Sequence, residues 1–315
     1  MQNPATSRPR VLFMGTGEIG LPALRWLINA PELELVAVVT QPDKAVGRSQ
    51  ILTAPAPKRV ALENDLPVLQ PIKVRRPEAL DAIRGFAPEL IIVMAYGQIL
   101  PRALLEMPRI ACLNLHASLL PRHRGAAPIQ AAILAGDKST GVTLMHMAEG
   151  LDTGDVVLAH SLSIRHRETG GSLHDRLAML APDVLAEAIP LFLRGDAPRT
   201  AQDEALATYA TKLDRESGKL DWAQSGWNLD RVIRAMNPWP GAFATLPDGK
   251  RLKIHRALPV HRRAGAPGEL LGVNHRGIIV GCGEGSLLLL DVQLEGKRRM
   301  SALEFMRGHM VRKLV

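Results

Sequence analysis

Two cysteines in 315 residues, Cys112 and Cys282, stand far apart, and no CxxC pair occurs. That scarcity excludes a disulfide-stapled scaffold, and it leaves no cysteine pair for a metal or a redox centre. No metal is expected. Long apolar runs are missing too, since charges or prolines interrupt each one short of the roughly 20 residues that span a bilayer. The opening MQNPATSRPR carries no apolar core of the kind a secretory signal needs. These absences point to the cytoplasm. No internal repeat or low-complexity tract appears. What is present is a 46% hydrophobic complement, enough to fill the cores of one large or two ordinary domains.

The net charge of +8 is unevenly placed. Residues 1–209 balance, and the surplus lies wholly in 210–315, where 18 basic side chains face 10 acidic ones. A basic C-terminal third beside a neutral remainder points to a part that meets a polyanion such as nucleic acid and a part that does neutral chemistry.

Up to about residue 194, short β-like runs alternate with helical patterns: VLFMG, a helix over 20–29, LELVAVVT, helices near 56–63 and 77–84, ELIIVMA, RIACLNL, a helix near 125–135, GVTLMHMA, DVVLAHSLSI and a helix over 171–193. Such alternation predicts a Rossmann-like α/β domain around a mostly parallel sheet. Residues 195–209 lack periodicity and read as a linker. From 210 to 315 the pattern changes to short strands with turn pairs at Asp248-Gly249 and Arg276-Gly277, which predicts a small basic β-barrel of OB type.

The stretch VLFMGTGEIG spaces Gly15, Gly17 and Gly20 as GxGxxG, a dinucleotide fingerprint when an acidic residue closes the second strand. Here the acid, Asp43, follows Pro42 and arrives late. A nicotinamide-linked enzyme and a merely tight turn both remain open on these residues alone.

The segment NLHASLLPRHRGAAPI directly follows a strand, where open α/β sheets bind their ligands. Asn114 and His116 lie two apart, so their side chains emerge on one strand face. A carboxamide and an imidazole there can polarise one carbonyl oxygen and move a proton. Asp152, in the turn GLDTG, is the carboxylate expected beside them, to orient His116 and stabilise its charged form. With no serine or cysteine placed as a nucleophile, the set suits transfer of an electrophilic carbon to an external amine.

Together with AEGLDTGD, this segment resembles the formyltransferase family that uses 10-formyltetrahydrofolate, with Asn114, His116 and Asp152 at its catalytic trio. ATYATKLDRESGKLDW and IRAMNPWPGAF extend the resemblance over nearly the whole chain, to the branch that formylates methionine carried by initiator tRNA in translation initiation. The resemblance implies a folate-binding catalytic domain over 1–194 and a tRNA-binding barrel over 210–315. It implies a folate pocket at Ser118, Leu119, Leu120 and Pro121, with main-chain groups of YGQIL. It implies no NAD, Gly17 standing where the family usually has proline. It also implies tRNA contact through the loop 40–52, with Arg48 at the family's arginine, although Ser49, Gln50 and Ile51 depart from its usual glycine and lysines. Lys297, Arg298 and Arg299 are further phosphate-contact candidates, whereas Trp239 reads as a packing residue. The chain is expected to act as a monomer.

Overall fold

The computed structural model describes residues 8–47, 50–260, 265–309 and 311–315. They group into two units, one of residues up to 125 with 140–162 and 174–209, the other of 126–139, 163–173 and 210–315.

In the first unit the strands are β1 (Arg10–Gly15), β2 (Glu34–Val39), the hairpin β3 (Lys44–Val46) and β4 (Ile51–Thr53), β5 (Val68–Leu69), β6 (Leu90–Met94), β7 (Ala111–His116), the short β8 (Arg124–Gly125), β9 (Ser139–His146), β10 (Val156–Ser163) and β11 (Tyr209–Ala210), which ends at the unit boundary. Seven of them form one sheet in the order β10-β9-β7-β6-β1-β2-β5. β1 pairs in parallel with both β2 and β6, β7 in parallel with β6, and β9 runs antiparallel to β7. The expected mostly parallel sheet is therefore present, with its antiparallel step at β7. Central strands such as β6 (LIIVM) are buried at every position, as a sheet covered on both faces requires.

Prolines near the helix starts explain several boundaries. α1 (Leu21–Asn29), α2 (Ala56–Leu62) and α3 (Pro77–Arg84) each carry proline in the first two positions, where its fixed φ suits the helix and its missing N–H has no partner to lose. The short α4 (Arg102–Leu105) precedes β7. The stretch 40–52, read from sequence as a loop, holds most of the antiparallel β3–β4 ladder, which ends with Lys44 opposite Thr53.

The second unit includes α5 (Pro128–Ala135) and the beginning of the long α6 (Gly170–Arg194), which continues into the first unit. Segment 163–173 bonds to the C-terminal residues through polar contacts. Asp230, almost fully buried, is paired by Arg167 and by Arg234, and Arg167 also donates to the Ala257 carbonyl. A buried carboxylate needs such partners.

Beyond residue 210 come α7 (Gly226–Ala235), β12 (Phe243–Thr245), β13 (Arg251–Val260), β14 (Leu270–Asn274), β15 (Gly277–Gly281), β16 (Ser286–Leu294), β17 (Met300–Ser301) and α8 (Ala302–Gly308). The sheet order is β12-β13-β16-β15-β14, with β17 on β16. The chain's last residues link its two edges: Leu270 donates to Arg312 O and Leu314 to Gly268 O on the β14 side, while Val315 exchanges two hydrogen bonds with Thr245 of β12. Alternate residues of β13, β15 and β16 (Leu252, Ile254, Ile278, Val280, Leu287, Leu289) face a core that Ile233 and Phe305 also enter. The helices α7 and α8 went unseen in the sequence, although each has a polar start. Ser225 caps α7, and Ser301 with Glu304 forms a capping box on α8.

Candidate active site

The opening glycines make a tight turn. The amides of Thr16 and Gly17 both donate to Ala95 O, at 3.1 and 3.4 Å, so they are engaged within the protein where a pyrophosphate would need them. A methyl group built on Gly15 would sit 2.6 Å from the Phe13 ring and 2.9 Å from Met94 O, which makes close packing the reason for glycine. Asp43 accepts from Lys58 at 2.8 Å and from Gln70 at 2.7 Å. The Gln70 amide and the Lys58 ammonium hold its carboxyl below the usual range. Its oxygens are thus turned away from a ribose role.

Asn114 and His116 emerge from the end of β7 on one face, and Asp152 approaches from the loop between β9 and β10. Asn114 is half-buried, and its carboxamide has no hydrogen-bond partner among the described residues. His116 is 6% exposed; its Nε2 lies 2.9 Å from the carbonyl oxygen of His123. A carbonyl only accepts, so Nε2 carries the hydrogen and Nδ1 faces Asp152. Nδ1 to Asp152 Oδ2 is 3.6 Å, close enough for an ion pair but long for a hydrogen bond. The His123 carbonyl therefore sets the ring's orientation, a role the sequence reading gave to Asp152. Asp152 Oδ2 accepts instead from the Gly125 amide at 2.7 Å. Asp152 has φ +54, the left-handed region, which a non-glycine residue holds only when its surroundings fix it.

The SLLP turn is built from within. Ser118 is fully buried and its hydroxyl donates to Arg122 O at 2.6 Å, while Thr143 of β9 donates to Ser118 O and accepts from the Leu120 amide. Leu119, Leu120 and Pro121 are half-buried and can offer an apolar wall. In YGQIL, the carbonyl of Tyr96 accepts from Thr16 and Gln41, and that of Gly97 from Gln41, whereas the Ile99 side chain is 89% exposed.

Sequence reasoning missed the support beneath this site. Arg124 has no solvent exposure, and its guanidinium makes two bonds to Glu204, at 2.9 and 2.7 Å, and two to Gln202 Oε1, at 3.1 and 2.9 Å. Gln202 Nε2 in turn donates to Asp152 O and Gly154 O, both at 2.8 Å. Thr208 Oγ1 accepts from the His123 amide, and Thr208 O from the Arg124 amide. Residues 200–208, inside the stretch read as a linker, thus run along the loops that carry His123 and Asp152. The Glu204 hydrogen bond raises the Arg124 pKa further, and the same bond lowers that of Glu204. The one local sign was an arginine embedded in HRGAA with no acid near it in sequence. Its partners lie some 80 residues away.

Among the phosphate-contact candidates, Arg48 lies outside the described residues. Arg298 pairs with Glu304 at 3.2 Å and Arg299 with Asp291 at 2.9 Å, while Lys297 is exposed without an ion pair among the described residues. Lys253 on β13 is exposed and likewise unpaired. Trp239, read as a packing residue, is 55% exposed. Among the described residues no group of three or more His, Cys, Asp or Glu is placed to hold a metal ion, and no helix is long and apolar enough to cross a membrane.

Comparison with known proteins covers most of the chain. The formyl transferase family matches residues 10–189, and the formyl transferase C-terminal domain family matches 212–310. Methionyl-tRNA formyltransferase of Geobacter sulfurreducens is 48% identical over 299 residues, 95% of this chain and 93% of the relative. That of Myxococcus xanthus is 48% identical over 303 residues, 96% of each. Among solved structures, HypX from Aquifex aeolicus in complex with tetrahydrofolic acid superposes with a TM-score of 0.64 at 21% identity, over 98% of this chain and 51% of that one. A sugar 3N-formyl transferase, WlaRD, gives 0.66 at 17%, over 92% and 99%. At such identities the structures speak for the fold.

Proposed function

The chain belongs to the formyl transferase family, and from that membership and the strand-end geometry we propose that it transfers the formyl group of 10-formyltetrahydrofolate to the α-amino group of methionine on initiator methionyl-tRNA. The observation that carries the reading is the Asn114 carboxamide, unpartnered among the described residues and beside a His116 ring whose Nε2–H is fixed by His123 O. The folate supplies a formyl group activated on nitrogen. The side chains of Leu119, Leu120 and Pro121, partly exposed, and of Ile99, 89% exposed, fit the faces of its rings, and the buried Ser118 hydroxyl holds the turn's shape.

The uncharged methionyl amine attacks the formyl carbon, and negative charge grows on the formyl oxygen. Asn114 donates to that oxygen, and so does His116 in its charged form through Nδ1–H. Preorganised donors of this kind cost no reorganisation when the charge appears. Asp152, 3.6 Å from His116 Nδ1, stabilises the charged ring and helps carry the proton from the amine toward the departing folate nitrogen.

The basic surplus of residues 210–315 supports a tRNA-holding role for that part, with Lys297, Arg298, Arg299 and Lys253 as phosphate contacts and Arg48 as a contact of the acceptor end. The translation substrate supports a cytoplasmic location, and action as a monomer belongs to the same proposal.

The test is to incubate the protein with 10-formyltetrahydrofolate and charged initiator tRNA, with charged elongator tRNA and free methionine in parallel. Formylation confined to the charged initiator is expected. Folate binding without formylation of any tRNA would shift the acceptor to small amines such as amino sugars, the chemistry named for the WlaRD neighbour.

A further inference from the structure

We propose that Gln202 is a positioning residue for the reaction: from outside the catalytic trio, it fixes the backbone of Asp152 and thereby the carboxylate that faces His116. The inference rests on the reading of the site given above. Gln202 lies in residues 200–208, the strap that runs along these loops, and the two ends of its amide join Arg124 to the Asp152 turn. Its oxygen accepts two N–H groups from Arg124, at 3.1 and 2.9 Å, and its nitrogen donates to Asp152 O and Gly154 O, each at 2.8 Å. An amide has two donors and an oxygen with two lone pairs, so all of its capacity is used.

The direction of this assembly matters. Arg124 cannot turn, because it is fully buried and clamped by the two oxygens of Glu204. Gln202 therefore has a fixed base and presents its N–H pair at a set position. That pair holds the carbonyl of a residue whose φ of +54 the backbone would otherwise leave. With the carbonyl held by Gln202 and the carboxylate by the Gly125 amide, Asp152 is secured at both ends. Loosening one end frees the carboxylate to swing from His116, where the separation is already 3.6 Å.

Gln202→Glu keeps the side chain's length and its acceptor for Arg124 but removes both donors, so the strap stays anchored while the hold on Asp152 is lost. Gln202→Ala removes both. Each variant is expected to lower kcat about ten- to a hundredfold, the scale on which small misplacements act, with KM for either substrate changed by less than about threefold. In an Asp152→Ala background the same substitutions should alter kcat by no more than about twofold, because the group they position is gone. A purely structural role would subtract equally in both backgrounds, and that additivity would overturn the proposal. Hydrogen exchange provides a readout that needs no activity. The Gly125 amide, bonded to the Asp152 carboxylate, should exchange about tenfold faster or more in Gln202→Glu, while amides of β1 and β6 keep their protection. An unchanged Gly125 rate would also overturn it. If the wild-type protein formylated nothing, the reading of the function would fall, and the exchange comparison would still decide whether Gln202 holds Asp152.

Discussion

Replacing Asn114 by alanine separates catalysis from stability at this site. The Asn114 carboxamide makes no hydrogen bond among the described residues, so its removal leaves no buried group without a partner. The side chain is half-buried, and the folded state should lose no more than about 0.5 kcal/mol, the usual range where no core or network is disturbed. The transition state loses one donor to the developing oxyanion, which costs about 3 to 4 kcal/mol, or roughly two to three decades in kcat. His116→Ala provides the contrast. It also removes the bond between His116 Nε2 and His123 O, 2.9 Å long in a buried setting, and losing such a bond costs roughly 0.5 to 1.5 kcal/mol. For a unit of this size that is a melting shift of about 2 to 4 °C per kcal/mol. The assay is single-turnover formation of formyl-methionyl-tRNA at saturating folate, paired with thermal unfolding of each variant. Asn114→Ala should lose turnover with an unmoved midpoint, whereas His116→Ala should lose both. An Asn114→Ala protein that retains turnover within about threefold would refute the oxyanion role.

The Arg124–Glu204 pair predicts a pH dependence. The Glu204 carboxyl is held below its ordinary value of 4.5 by Arg124, so its contribution to stability is present in full above that value and lost as pH falls through the lowered one. The midpoint gap between wild type and Glu204→Gln should be constant from about pH 8 to 6 and close below about 4.5, and a gap that widens on acidification would contradict the pairing. Burial pushes the Cys112 thiol up to about 12 and Cys282 to about 11, so native protein at pH 8 should take up no iodoacetamide at either, by mass spectrometry, until unfolded. Gly154→Ala places a methyl group against the His146 carbonyl, an overlap that must displace the Asp152 turn. Stability should fall by about 1 to 3 kcal/mol with a further loss of kcat, and a crystal structure with the turn unmoved would reject the close-packing argument.

Much of the first sheet was legible because its signals are local. VLFMG, LELVAVVT, ELIIVMA and RIACLNL are short apolar runs, and the prolines at 22, 57 and 77 mark helix starts. The placing of Asn114 and His116 at one strand end was legible through period-two geometry. Their orientation was not, because the group that turns His116 is a main-chain carbonyl seven residues on, and main-chain acceptors leave no trace in composition. The strap was hidden for a related reason. GDAPRTAQDEALATY has no periodicity because its regular pieces are single bridges and one short turn; it is shaped by bonds to Arg124, Asp152 and His123. The β3–β4 hairpin was masked by the proline and glycine around it, whereas α7 was written in the sequence and missed: Leu229, Val232, Ile233 and Met236 follow helical spacing behind the Ser225 cap.

The strap also bears on how such a chain can be cut and recombined. Residues 190–211 belong to neither matched family segment, and the end of α6 at Arg194 looks like a natural seam between modules. Yet Gln202, Glu204 and Thr208 lie beyond that seam and bond the loops that carry His123, Arg124 and Asp152. A chimera spliced at 194 would hand the loops a foreign tether, whereas one spliced after 209 would carry its own. The border at the end of α6 and the border drawn from these hydrogen bonds differ by 15 residues, 194 against 209, and graft designs should follow the second.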